Sequence, residues 1–169
     1  MSLGQAFLRK VLQPVDVALA TLVGLAFAIC SLPLFALRGR HRQPPERPRM
    51  LYIGYTTLDQ AQRKGLLRTA HSAQMTYNPS HVLASVTVLI PFGKRSHSTR
   101  LSDDITFHEL AFSLWSGTLF LTQQMVRFVL GCLESRRQAM AHDVVIIGGP
   151  NIASLPGFYA RLTTPARFV

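Results

Sequence analysis

From Val17 to Leu37 the chain reads VALATLVGLAFAICSLPLFAL without a charged residue, and this run limits what the protein can be more than any other feature. About 20 apolar residues in an α-helix cover the hydrocarbon core of a bilayer. A cleaved signal sequence would have a shorter apolar core and a small-residue cleavage site, whereas this run leads straight into Arg38-Gly39-Arg40-His41-Arg42. The reading is an uncleaved membrane anchor, against the alternative of a buried core helix. Positive residues flank both ends: Arg9 and Lys10 before the run, and Arg38, Arg40, Arg42, Arg47 and Arg49 after it. The heavier cluster belongs on the cytoplasmic side of a single transmembrane pass. Charge at both ends also fits a re-entrant helix broken at Pro33. Both topologies place the residues from 50 onward on the cytoplasmic face, beside anionic headgroups.

The 169 residues suffice for one core of moderate size. With 48% hydrophobic and 15% charged residues the chain is too apolar for intrinsic disorder. A formal charge of +10 favours anionic partners: a phospholipid surface, a phosphorylated substrate or nucleic acid. No basic-aromatic motif supports nucleic acid, and membrane association accounts for much of the excess charge, so no nucleic-acid partner is expected. The two cysteines, Cys30 and Cys132, make neither a metal pattern nor a disulfide framework. Residues 38–49, RGRHRQPPERPR, cannot build a core, because the prolines deny helix and the arginines repel one another. This segment divides the chain into a tail and anchor (1–37), a basic linker (38–49) and a folded domain (50–169). The five arginines Arg38, Arg40, Arg42, Arg47 and Arg49 are the expected membrane-surface residues.

Past the linker, short β-rich runs alternate with helical stretches, the pattern of an α/β domain with a parallel sheet and flanking helices. Strands are expected at Met50–Gly54, Ala84–Ile90, Ile105–Leu110, Val144–Ile147 and Ala166–Val169. Helix is expected from about Thr57 to Met75. A long helix carries Phe112, Trp115, Leu119, Val126, Val129, Leu130 and Leu133 at three- and four-residue spacings, and one side of it can pack on the sheet. Lys94-Arg95-Ser96-His97-Ser98-Thr99-Arg100 reads as a basic loop. Parallel sheets of this kind hold ligands beyond the carboxyl ends of their strands. Gly54-Tyr55-Thr56 and Gly148-Gly149-Pro150-Asn151 would both lie on that rim.

The strand MLYIGY, the Lys64-Gly65 pair and the segment DVVIIGGPNIASLPGFYARL resemble the acceptor-side lobe of GT-B glycosyltransferases over residues 50–169. The resemblance implies a Rossmann-like sheet whose glycine turns face an interlobe cleft. The Gly149-Pro150 and Leu155-Pro156 pairs are also similar to membrane-anchored subunits of two-component N-acetylglucosaminyltransferases. Around the apolar run, Arg9-Lys10, Asp16 and Ser31-Leu32-Pro33 loosely resemble the membrane segment of polyprenyl-phosphate sugar phosphotransferases. The GT-B resemblance implies a nucleotide-sugar donor held mainly by a second lobe, which would come from a longer chain or a separate subunit.

Motif chemistry narrows the rest. Six histidines include no metal-binding pair with a motif glutamate, so neither metal nor cofactor is expected. Neither a Gly-x-Ser-x-Gly elbow nor a Gly-x-x-x-x-Gly-Lys-Ser/Thr loop occurs. The acceptor-binding candidates are Gly54, Tyr55, Lys64, Gly65, Gly148, Gly149 and Asn151; the glycines serve equally well as plain turn residues, and Lys64 as part of a solvated helix face. Glu109 is a candidate base or a structural acid, and no catalytic residue is assigned. The expected function is the acceptor half of a membrane-anchored glycosyltransferase acting on a lipid-linked or membrane-proximal acceptor. The alternative is a non-enzymatic membrane scaffold that binds a partner protein through its α/β domain.

Overall fold

The computed structural model describes residues 3–36, 43, 45–65, 67, 69–93, 96–111, 119–149 and 154–169. In chain order they form α1 (Leu3–Ala36), β1 (Arg49–Ile53), α2 (Leu58–Arg63), α3 (Ala70–Tyr77), β2 (Ser85–Ile90), β3 (His97–Arg100), β4 (Ile105–Glu109), α4 (Phe120–Ala141), β5 (Val144–Ile147), α5 (Leu155–Thr163) and β6 (Arg167–Phe168). The described strands make one sheet in the order β3-β4-β2-β1-β5-β6. All neighbours are parallel except β3, which runs antiparallel to β4. The chain steps from β1 to β2 and β4 in one direction and from β5 to β6 in the other, so the strand order reverses at β1.

The mixed α/β architecture and the five expected strands are present, each within a residue of its expected limits. Three local readings change, the third of them on α4. The segment His97–Arg100, expected as loop, is the edge strand β3, with Thr99 opposite Phe107 and Ser98 opposite His108. Its polar, basic composition suits an edge strand, where charge discourages pairing with another chain. The helix expected from Thr57 to Met75 is two helices, separated by a turn in which Gly65 takes a positive φ of 77°. Thr57 and Thr69 each start one of them with a capping box, to Gln60 and Ser72 respectively.

Alternation along β1 sends its side chains to two separate cores. Met50 joins Val86, Val88, Ile90, Ile105 and Phe107 beneath α2 and α3. Leu51 and Ile53 join Leu89 and Val145 beneath Ala139 of α4 and Ala160 of α5. The buried residues of α4 are Gly131, Cys132, Ser135 and Ala139. The expected large residues do not form that buried stripe: Val126, Val129 and Leu130 are half-buried and Leu133 is exposed, while Phe112 and Trp115 lie outside the described residues. Small side chains are what let α4 lie close to the sheet.

The helix α1 continues unbroken through Pro14 and Pro33. Its segment Lys10–Phe35 is long and apolar enough to cross a membrane. It also packs on the domain. The Asp16 carboxylate accepts the backbone N–H groups of Leu121 and Thr122, both at 2.8 Å, and the Thr122 hydroxyl at 2.7 Å. Leu119, at the N-cap of α4, makes no side-chain cap bond, so Asp16 supplies from another helix the acceptor that α4 lacks locally. Further along, Phe27 meets Phe128 edge-on at 6.5 Å and Tyr159 at 5.0 Å. Ser31 Oγ lies 3.2 Å from the Tyr159 hydroxyl, and Phe35 meets the same ring at 6.3 Å.

Polar anchors gather at the amino ends of the strands. Asp104 accepts from Asn78 Nδ2 at 2.7 Å, Ser102 Oγ at 2.8 Å and Gln74 Nε2 at 3.1 Å, tying α3 to the β3–β4 hairpin. Asp143 accepts the Arg49 backbone N–H at 2.9 Å and its Nε at 3.3 Å. His142 Nδ1 lies 2.6 Å from the Gln138 carbonyl, and its Nε2 lies 2.9 Å from Thr87 Oγ1.

Candidate functional site

The site is built where β1 and β5 end side by side. Ile53 pairs with Ile147, and beyond that pair Gly148 N–H donates to the Ile53 carbonyl at 2.8 Å. Gly54 N–H donates to the Leu89 carbonyl at 2.9 Å. The ends of β2, β1 and β5 therefore form one laced crest at the place where the strand order reverses, and Gly54 and Gly148 stand next to each other on it. Crevices at such points are the usual ligand sites of open parallel sheets.

The tyrosine Tyr52 explains why both positions lack a side chain. A Cβ on Gly54 would lie 2.8 Å from Tyr52 Cε1, and a Cβ on Gly148 would strike the Tyr52 hydroxyl. The ring lies across the two glycines and meets Tyr77 edge-on at 5.7 Å. Together with exposed Tyr55 these rings wall a pocket of about 440 Å³, with Met50, Val88, Ile90 and Ile146 as its apolar floor and Gly54, Thr56, Ala61 and Thr76 on its margin. The volume and the mixture of aromatic walls with a few polar groups are typical of small-molecule pockets.

Burial raises the Tyr52 phenol above its ordinary value, with nearby Tyr55 adding to the effect. Burial, then Tyr52, pushes Tyr77 up to about 12. Both hydroxyls are therefore protonated at neutral pH and present O–H donors rather than phenolates. Glu109, the last residue of β4, is buried, and its carboxylate accepts the Leu58 N–H at the start of α2 at 3.2 Å. That bond gives it a structural task between strand and helix.

Of the residues singled out in the sequence, Gly54 and Tyr55 line the pocket, and Gly148 adjoins it through Tyr52. Gly149 follows at a positive φ of 74°, and its carbonyl accepts the hydroxyl of Ser154, the N-cap residue of α5. Lys64 and Gly65 sit in the turn after α2, and neither is among the lining residues. Asn151 lies outside the described residues, as do Arg38, Arg40 and Arg42. Arg47 donates to the His81 carbonyl at 2.9 Å, and Arg49 pairs with Asp143. These two arginines are tied to the protein rather than left wholly to headgroups. Among the described residues no group of three His, Cys, Asp or Glu side chains is placed to hold a metal ion. Burial pushes the Cys132 thiol up to about 12, which leaves it an inert core residue.

Sequence reading passed over Tyr52 and Tyr77. The alternation within Met50-Leu51-Tyr52-Ile53 carried the signal for Tyr52, because it puts that residue on the face opposite Leu51 and Ile53. Nothing local to Tyr77 places it across from Tyr52.

A second cavity, an apolar groove of about 570 Å³, runs between α1 and α4, with Val17, Ala20, Gly24, Leu25, Leu121, Met125 and Phe128 as its walls and Thr21 and Gln124 as its polar members. It lies on the other side of the sheet from the tyrosine pocket. Comparison with known protein families, curated proteins and solved structures finds no match to this chain.

Proposed function

We propose that the chain is the acceptor-binding half of a membrane-bound glycosyltransferase. In this reading a Rossmann-like lobe on the cytoplasmic face holds a lipid-linked or membrane-proximal acceptor at its strand crest. A second lobe, in a longer chain or a separate subunit, presents a nucleotide sugar. The observation that carries the reading is the tyrosine-walled pocket at the reversal of strand order, in a domain whose other face bears a helix of membrane length.

Sugar transfer breaks the bond from the anomeric carbon to the nucleotide's phosphate oxygen and forms one to the acceptor oxygen; the nucleotide leaves with the bonding electron pair and takes up, directly or through water, the proton that the acceptor oxygen loses. The contribution of this lobe is position: it holds the acceptor oxygen at the reacting carbon, which lowers the entropic part of the barrier. Protonated Tyr52 and Tyr77 supply donors to acceptor hydroxyls, and their rings exclude water. Docking the lobe at a membrane raises the local concentration of a lipid-linked acceptor.

The test is calorimetric titration of the full chain in lipid nanodiscs with a short-chain prenyl diphosphate-linked sugar. Saturable binding that Tyr55→Ala weakens is the expected result, with no turnover of added nucleotide sugar until a donor lobe is supplied. Absence of binding to folded protein overturns the acceptor role, and rapid turnover by the chain alone overturns the half-enzyme reading. Gly149 is a poor probe, because any larger residue at its positive φ strains the backbone as well as crowding the rim.

The scaffold reading is favoured by one observation. The strand β6 pairs with β5 along Arg167 and Phe168, the Val169 N–H donating to the Val145 carbonyl at 3.1 Å, and among the described residues no strand pairs with its other side. Capture of a partner that protects β6 amides from exchange, with the tyrosine pocket unoccupied, would favour that alternative.

A further inference from the structure

The contacts of α1 bear on how the protein sits at a membrane, independently of what the tyrosine pocket binds. They run from Asp16 through Phe27 and Ser31 to Phe35, which is most of the Lys10–Phe35 segment. A free-standing anchor would leave that segment clear of the folded domain. Here the segment lies along α4 and α5, and α4 carries Arg127, Glu134, Arg136 and Arg137. Setting α1 upright across a bilayer would draw these charges and the flank of the sheet into hydrocarbon, where charged side chains are strongly disfavoured.

The outer surface fits a different placement. Leu22, Leu25, Ile29 and Leu32 recur on the side of α1 opposite Asp16, Ala20 and Ser31, and are 54–64% exposed. On α5, Leu155, Phe158 and Leu162 form a second exposed apolar stripe beside Tyr159, the residue on which α1 rests. Phe120 and Leu121 expose more apolar surface at the start of α4. A helix that is apolar all round has no water-facing side of its own; in this chain α4 and α5 cover one side and leave the other bare. Leu25 of α1 and Leu121 of α4 line one groove, and the Tyr159 ring of α5 meets Phe27 and Phe35 of α1, so the three helices that carry these exposed residues border one another; exposed apolar surface gathered in this way marks an interaction site.

We infer that α1 lies in the plane of the membrane rather than across it, and that its outer stripe, the Leu155-Phe158-Leu162 stripe of α5 and the first turn of α4 form one face embedded in a single leaflet. The occupant of the face is the boundary between acyl chains and headgroups. Continuity with the uncharged run of α1 supplies the apolar match, and exposed Arg161, between Phe158 and Leu162, together with the net charge of +10, supplies attraction to anionic lipid.

The test uses the full chain in vesicles of phosphatidylcholine with phosphatidylglycerol. Trp115→Phe removes the one native tryptophan, and Phe158→Trp or Leu25→Trp then reports depth through quenching by lipids brominated near the headgroup or near the chain end. Circular dichroism checks that each variant stays folded. The expected result is that both probes lose more emission to the shallow bromines than to the deep ones. Stronger quenching of the Leu25→Trp probe by deep bromines means that α1 spans the bilayer and overturns the inference. An unquenched Phe158→Trp probe also overturns it, whether α5 then faces water or a second copy of the chain.

Discussion

The two faces of the sheet are finished differently, although adjacent residues of one strand serve both. On the α4 and α5 side, Leu51 and Ile53 have no exposed surface, and the covering helices meet the strands through Ala139 and Ala160. On the α2 and α3 side, Tyr52 is half-buried over a pocket of about 440 Å³, and Ile146 lines the same space. The first face carries a further layer, α1. The second has short helices and open space at the strand crest. Sealing and opening are both set by side-chain size: small residues on α4 bring it close, whereas large rings on the other face prop a cavity.

The largest expected effect tests that contrast within two consecutive residues. Leu51→Ala leaves a cavity in a core whose neighbours are held by three elements, and costs about 2–5 kcal/mol. Tyr52→Ala removes a larger side chain but from a half-open site, and its cost is smaller. Urea unfolding in mild detergent, followed by circular dichroism, measures both. An equal or greater loss for Tyr52→Ala would show that the tyrosine face is structural core and not a site built with space in it.

Next in size is the link between α1 and the sealed face. Asp16→Ala removes the acceptor for two backbone amides at the start of α4 and costs about 1 kcal/mol, as for loss of an N-cap. Hydrogen exchange locates the effect: the Leu121 and Thr122 amides exchange faster in the variant, while the Leu51 and Val88 amides keep their protection relative to overall stability. Unchanged exchange at Leu121 and Thr122 would mean that α4 holds its first turn without α1.

What the sequence showed and what it concealed follow the range of the interactions involved. Strand positions and the α/β alternation were legible, because β-branched runs such as Val144-Val145-Ile146-Ile147 declare themselves over a few residues. The Gly54 and Gly148 positions were legible as strand-end glycines. Their neighbour across the crest was not, because the Tyr52 ring that occupies the missing Cβ positions is a tertiary contact. Long range also hid Asp16, which stands more than a hundred positions from the amides it caps. The strand β3 was hidden for a different reason. An edge strand of polar residues lacks the apolar alternation that sequence reading relies on, and only pairing with β4 defines it.

A smaller effect comes from pH, acting at the amino ends of the strands rather than at the pocket. Burial lowers the His142 pKa below the ordinary 6.5; the Gln138 carbonyl opposes this, nearby Arg49 adds to it and Asp143 opposes it. Between the folded value and 6.5 the unfolded chain binds more protons than the native one, so stability is fully present above 6.5 and falls as the pH drops below it. Burial would raise Asp104 and Asp143, but hydrogen bonds from Ser102, Asn78 and Gln74 to the first, and from Arg49 to the second, outweigh it and hold both below 3.8. Their contribution is present above 3.8 and is lost as the pH falls through their folded values. Unfolding midpoints followed down from neutral pH should therefore drop in two stages, and His142→Gln should remove the first alone. A variant that keeps the first stage would assign it to another group.

The smallest expected change in stability is at the pocket wall, where it separates the ring of Tyr77 from its hydroxyl. The ring makes the edge-on contact with Tyr52, and phenylalanine preserves that geometry. Tyr77→Phe should therefore move stability by no more than about 0.5 kcal/mol, the range of substitutions that disturb no packing. The same change removes a phenol that burial pushes up to about 12, and that loss is visible in the alkaline absorbance titration as one fewer late-titrating tyrosine. A large destabilisation would mean that the hydroxyl is bound into the fold and is not free to meet a ligand. Retained stability with the late step gone would place a protonated donor on the open face of the sheet, where the sealed face packs Leu51, Ile53, Leu89 and Val145 with no exposed surface left for a ligand.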